Sequence, residues 1–321
     1  MKPNQVASVL VLVVLIYGGF IFWSDVSALR DAIGRYEWWT FFASLGLAFG
    51  NYVLRFAKWE FYLRRLGVRG VPWRESFTIF LSGFALSVTP AKAGEVFKSA
   101  LLQSARGVPI SRSAPIVVAD RLTDLVALIM MVAAGGMYFR GGGYVALGAS
   151  TLVAVILLFV TVRPLAEWAL RLVERVPVGK RVAPRLREAY DALRVLASPS
   201  ALLLPTAVSV VAWALEALGL WIIAKGLGLS LSAPVAAFVS ATATLAGAVA
   251  MLPGGLGGTE IVMQRLLRDI AHATGSTAST ATLLVRISTL WFAVGVGVLA
   301  LAWFRRAYDR KVGPGGSPSE R

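Results

Sequence analysis

Apolar runs of roughly 18 to 25 residues recur along the chain between basic connectors, and this pattern limits the folds open to it. A helix rises about 1.5 Å per residue, so runs of this length cross a hydrocarbon core of roughly 30 Å with every backbone group satisfied internally. Six stretches read as complete spans, at about 5–23, 38–57, 114–138, 144–162, 201–224 and 280–304. The first, "VASVLVLVVLIYGGFIFW", is too long for a signal-peptide core and has no small-x-small cleavage site after it, so it is read as a retained span. The expectation is an all-α polytopic membrane protein.

Two regions, 74–106 and 234–271, do not read as plain spans. "VTPAKAGEVFKSALL" places Pro90, Lys92, Gly94, Glu95 and Lys98 between two apolar arms, and "MLPGGLGGTEIVMQRLL" places Pro253, Gly254, Gly255 and Gly257 just before Glu260. Arms of about 14 or 15 residues reach only some 22 Å. Each region is therefore expected to be a re-entrant helical hairpin that enters and leaves by one face. The two are related: an offset of 165 residues brings Glu95 onto Glu260, Leu101 and Leu102 onto Leu266 and Leu267, Ser111 onto Ser276 and Arg121 onto Arg286. Upstream, "LGVRGVPWRESF" matches "LGLSLSAPVAAF" at an offset of 161 to 162. Three spans separate the hairpins, so the halves, about 38–138 and 201–304, are expected to be inverted. Inverted repeats with broken helices at the midplane are a transporter architecture. Backbone groups freed by a break are tolerated at depth only against protein or water, so the Pro/Gly tips should line a cavity.

Basic connectors mark the cytoplasmic side. Connector 58–75 carries Lys58, Arg64, Arg65, Arg69 and Arg74 against Glu60 and Glu75; connector 163–200 is also strongly basic, and the tail has Arg305, Arg306, Arg310 and Lys311. Connectors 24–37, 139–143, 225–233 and 272–279 hold few basic residues. Threading six spans and two hairpins between them puts both termini in the cytoplasm. Residues 163–200 have apolar positions at helical spacing among the charges and read as an amphipathic helix on the inner surface. Residues 1–311 form a single integral membrane domain, and 312–321 a disordered tail.

A net charge of +15 could indicate nucleic acid, but the Lys and Arg residues gather between apolar segments rather than among aromatics on a soluble domain. No cysteine is present and His272 is the single histidine, which excludes thiolate chemistry and disfavours imidazole metal sites; no cofactor or metal is expected. "FLSGF" lacks the pattern of an intramembrane serine protease, and "PGGLGGTE" lacks the lysine and strand of a P-loop. The chain is not expected to be an enzyme.

One charge in a bilayer core costs about 2.5–3.5 kcal/mol on insertion scales, so Glu95, Asp120, Arg121, Asp124, Glu260 and Arg286 should face inward and pair. Arg121 and Asp124 are three apart, while Asp120 and Asp124 share a helix face. At the offset of 165 the acids become Val285 and Thr289, leaving Arg286 to be neutralised by Glu260 or by an anionic substrate group. The Glu/Arg pairs are read either as braces for the hairpins or as a substrate gate, and the two are compatible. Lys92 and Lys98 at the inner opening, and Arg265 and Arg268 at the outer one, either attract phosphate or snorkel. Arg55, one turn after Asn51, is read as snorkelling. Glu216 and Asp120 are candidate proton carriers.

"NYVLRFAKWEFYLRRLG", "TPAKAGEVFKSALL", "ADRLTD" and "PGGLGGTE" followed by "LLVRISTLWF" are similar in order and spacing to the membrane domain of bacterial lysylphosphatidylglycerol synthases and to related stand-alone flippase-like proteins. The resemblance covers roughly residues 5–305. It implies that Pro90, Gly94, Glu95, Arg121, Asp124, Pro253, Gly254, Gly255, Gly257, Glu260 and Arg286 occupy motif positions, and that the domain moves a lipid between leaflets. Only about 17 residues follow the last span, so the expectation is a stand-alone membrane domain without aminoacyl transfer. The function expected is flippase- or scramblase-like transport of an anionic phospholipid or lipid-linked intermediate in the bacterial inner membrane. The alternative is a lipid-binding scaffold for a separately encoded glycosyl- or aminoacyl-transferase. The partners expected are membrane lipids, and not nucleic acid.

Overall fold

The computed structural model describes residues 33–89, 93–138, 199–250 and 253–312, with scattered helical positions between Tyr144 and Arg171. The predicted span at 5–23, most of that at 144–162, nearly all of the amphipathic connector and the tail after Val312 lie outside the described residues. Every described element is helical. Helix α1 is Trp38–Arg65; α2, Trp73–Ser82, tightens into a 3₁₀ turn at Gly83–Leu86; α3 is Ala93–Arg106 and α4 is Ile110–Gly136. In the second half α5 is Pro199–Gly226, α6 Ala233–Val249, α7 Gly258–Ala271 and α8 Gly275–Arg286. A wide π turn, Ile287–Trp291, then joins α8 to α9, Phe292–Val312.

Local chemistry accounts for where these helices begin and end. α1 carries Arg64 and Arg65 in its last turn, where cations meet the negative end of the helix dipole, and Gly67 follows at φ +69°. Ser232 precedes α6 with Pro234 in its first turn, the place where a missing N–H is harmless. Thr274 caps α8 by accepting the Thr277 N–H at 3.2 Å, so the connector expected at 272–279 shrinks to three residues. α1 likewise runs eight residues past its predicted end at 57, which moves Lys58 out of the connector and into the helix.

The element starts reproduce the spacing of the sequence repeat. Trp38 and Pro199, which open α1 and α5, are 161 apart, and both helices have 28 residues. Ala93 and Gly258, which open α3 and α7, are 165 apart, and both helices have 14 residues. Ile110 and Gly275 are again 165 apart.

Packing is reciprocal between the halves. α1 lies against α5; α6 lies on α4, and α2 with its 3₁₀ turn lies on α9. Gly297 of α9 permits that last contact, because a Cβ there would overlap the backbone of Phe84 and Ala85. The core of the first half is aromatic, with Tyr52, Trp59, Tyr62 and Phe80 buried beside Leu102 and Ile116. That of the second is built from small and aliphatic side chains, including Ala224, Ala236, Ala243, Ala278 and Ala281 with Leu220, Ile223 and Leu267. Large apolar side chains also cover the outside: Trp39 is 64% exposed, Leu203 76% and Leu299 73%. Such a surface suits contact with lipid or with another apolar surface. Two described helical stretches, Leu202–Gly226 and Gly275–Ala307, are long and apolar enough to cross a bilayer.

Candidate functional site

Charged side chains collect in two places inside the helices. The first is a four-residue ionic cluster between α1 and α4. Arg55 and Lys58, three apart on α1, face Asp120 and Asp124, four apart on α4. Arg55 Nη2 donates to Asp124 Oδ2 at 2.8 Å and lies 3.3 Å from Asp120 Oδ2. Lys58 Nζ lies 2.6 Å from Asp120 Oδ1 and 2.8 Å from Asp124 Oδ1. It also donates to Ser209 Oγ of α5 at 2.7 Å and to Thr123 Oγ1 at 3.2 Å. The Ser209 hydroxyl in turn donates to Asp124 Oδ1 at 2.9 Å. Each acid thus meets both cations, and the cluster ties three helices together. Asn51, one turn before Arg55, adds a hydrogen bond to the Ala212 carbonyl at 2.7 Å.

Two sequence readings are corrected here. Lys58 is not a connector charge on the cytoplasmic side: it is 2% exposed, and its ion pairs explain how it is held inside. Arg55 does not snorkel, because its guanidinium is bound by the same two acids and lies 5.7 Å from the Trp213 ring. A signal was present: two acids on one face of α4 require more than Arg121, and Arg55 and Lys58 form the facing i, i+3 pair.

The second place is the break between α6 and α7. Gly254, Gly255 and Gly257 take φ of +61°, +69° and +85°, a region side chains rarely adopt. Arg286 reaches back to this turn: Nε donates to Glu260 Oε1 at 2.7 Å and Nη2 to the Gly254 carbonyl at 2.7 Å. The other carboxylate oxygen, Glu260 Oε2, accepts the Gly257 N–H at 2.8 Å. Glu260, 2% exposed, therefore clasps both the glycine turn and the arginine. It is the partner expected for Arg286.

The two breaks approach one another. A Cβ placed on Gly254 would lie 3.5 Å from Val88 Cα, at the tip of the first unit, and 3.4 Å from Leu290 in the π turn. At this π turn the Tyr52 hydroxyl of α1 donates to the Thr289 carbonyl at 3.0 Å, and Ser44 donates to Ser288 Oγ at 3.0 Å. The long helix of the first half is thereby stitched to the π turn directly after Arg286.

Residues 6–297 match the model of a family described as "Lysylphosphatidylglycerol synthase TM region". The chain belongs to that family. Two proteins of Methanothermobacter thermautotrophicus, each named a UPF0104 membrane protein, are similar to it along most of their length. One is 25% identical over 280 residues, covering 79% of this chain and 82% of the relative. The other is 24% identical over 311 residues, covering 90% of each.

In this member of the synthase TM family, the remaining motif positions are placed unevenly. Pro90 and Lys92 lie outside the described residues, as do the side chains of Glu95 and Pro253; Gly94 and Glu95 are in the first turn of α3. Arg121 lies within electrostatic range of Arg55 and Asp124. Lys98 is 7% exposed, with its ammonium 5.2 Å from the Trp59 ring centroid and 4.9 Å from that of Phe80. Glu216, half-buried on α5, is within electrostatic range of Tyr52 and Arg55. Arg265 makes an exposed i, i+4 ion pair with Asp269 at 2.8 Å, and Arg268 and His272 are exposed.

Proposed function

We propose that this chain carries a lipid with an anionic headgroup from one leaflet to the other, without group-transfer chemistry of its own. In this reading α2–α3 and α6–α7 are re-entrant hairpins from opposite faces, the halves are an inverted repeat, and both termini are cytoplasmic in a bacterial inner membrane. The matched element spacing and the reciprocal packing of α2 on α9 and α6 on α4 support it. The approach of Gly254 to Val88 carries it: two tips this close would form a closed gate with a charged clasp behind it. A headgroup would pass between the tips while its acyl chains stay in lipid. The Glu260–Arg286 pair would serve as the outer polar gate and Glu95 with Arg121 as the inner one. Energy would come from the lipid gradient, or from proton coupling through Glu216 or Asp120.

Reconstituted vesicles with a headgroup-labelled anionic phospholipid test this. Wild-type protein should equilibrate the label between leaflets, and Glu260→Gln and Arg286→Ala should change that rate about tenfold or more, as loss of the charge-assisted clasp implies. Unchanged rates in well-folded variants would remove the gate assignment. A wild-type protein that retains lipid, moves none and captures a lipid-modifying transferase would favour the scaffold instead. Because the chain has no cysteine, single cysteines introduced at 95 and 260 report which side each hairpin faces; labelling of both from one side would refute the inversion.

A further inference from the structure

Lys98 is a buried cation that no described carboxylate neutralises. It projects from α3 between Trp59 of α1 and Phe80 of α2, both 2% exposed. Ring faces attract an ammonium through their quadrupole but carry no net charge, so the positive charge remains available to an anion. No carboxylate of the described residues lies within ion-pair distance of it. Asp120 and Asp124 are within electrostatic range, but each is already bound by both Arg55 and Lys58.

The second half supplies an internal control. At the offset of 165 residues Lys98 corresponds to Met263, 2% exposed in the alanine-rich core. The neighbouring positions keep their register: Leu102 and Leu267 are both 0% exposed, while Val96 and Ile261 are both exposed. The helix pair thus accepts an uncharged side chain of similar length there, and packing alone does not call for a lysine.

We propose that Lys98 is an anion-binding residue whose ammonium, steadied by Trp59 and Phe80, takes a phosphate oxygen of an anionic lipid headgroup. The headgroup is held by the first half and not by the Glu260–Arg286 clasp, where Arg286 Nε and Nη2 are already committed to Glu260 and to the Gly254 carbonyl. A phosphodiester bearing one negative charge matches one ammonium. The inference rests on the transport reading for the kind of ligand, although binding here does not require transport.

Native mass spectrometry of the full chain, titrated separately with phosphatidylglycerol, diacylglycerol and inorganic phosphate, tests it. Wild-type protein should prefer phosphatidylglycerol to diacylglycerol, which has the acyl chains but no phosphate, by about tenfold or more, the size expected for one charge-assisted hydrogen bond. Lys98→Met should abolish that preference with a thermal midpoint equal to or above that of wild type, and Lys98→Arg should keep most of it. Lys98→Gln serves in place of the methionine variant if that variant misfolds. Equal lipid preference in wild type and Lys98→Met overturns the assignment, as does binding of inorganic phosphate with no preference among lipids. Lys98-dependent lipid binding with no movement in vesicles leaves this inference standing and removes transport. Lipid movement with unaltered rate and preference in Lys98→Met does the reverse.

Discussion

The first helix–break–helix unit and its neighbours are packed with aromatic rings and buried charges, whereas the second is packed with alanine and turned by glycine. Both use helices of matching length at matching spacing. At an offset of 161 Arg55 becomes Glu216 and Lys58 becomes Gly219; at 165 Asp120 and Asp124 become Val285 and Thr289. The first half therefore holds its charges between long helices, through ion pairs 62 to 69 residues apart in sequence. The second gathers its pair at the break itself, where Glu260 and Arg286 fasten the glycine turn. One scaffold thus accommodates two electrostatic solutions, and the difference shows which charges the fold does not demand.

The largest effect should follow from breaking the ionic cluster. Asp124→Ala leaves Arg55 and Lys58 sharing one acid in a buried site and should destabilise by about 3–5 kcal/mol. Its thermal midpoint in detergent should fall most of all single variants, and a Lys58→Met/Asp124→Leu double variant should recover much of the loss. If Asp124→Ala melts like wild type, the cluster is not what joins the long helices. A smaller effect is expected at the second break: Gly247→Ala places a methyl against the Thr259 hydroxyl and the Gly255 backbone and should cost about 1–3 kcal/mol as overpacking. The matching test is Thr259→Ser, which keeps the hydroxyl and should be near neutral; a tolerated Gly247→Ala would mean that the second break is packed more loosely than its alanine-rich surroundings suggest. The smallest effect belongs to the exposed pair: Arg265→Ala should change stability by about 0.5 kcal/mol or less, because solvent screens that bridge. A large loss there would move the exposed face of α7 into the list of structural charges.

Much of this contrast could be read from the residues. Long helices appear as length and apolarity, and breaks appear as Pro and Gly inside such runs, so the helices α1, α4 and α5 and the helix pairs α2–α3 and α6–α7 were expected near where they lie. Glu260 with Arg286 was legible because one partner is conspicuous when its neighbours are apolar. Lys58 was misread despite its i, i+3 spacing to Arg55, since hydropathy assigns a lysine after an apolar run to the surface and its true partners sit on a helix more than sixty residues away. Lys98 was flagged as either phosphate-attracting or snorkelling, but its seat between two rings depends on how α1 and α2 meet, which pattern alone does not determine. The π turn after Arg286 carries no compositional mark, although it determines where the Tyr52 hydroxyl can reach.

The exchange of partners, with α2 resting on α9 and α6 on α4, has a consequence for how such a chain can arise and be divided. Neither half owns a complete interior, since each borrows a wall from the other. Gene duplication from a single copy would thus demand an ancestor that already worked as a pair of identical subunits. Loss of either copy afterwards would leave the survivor with an uncovered flank.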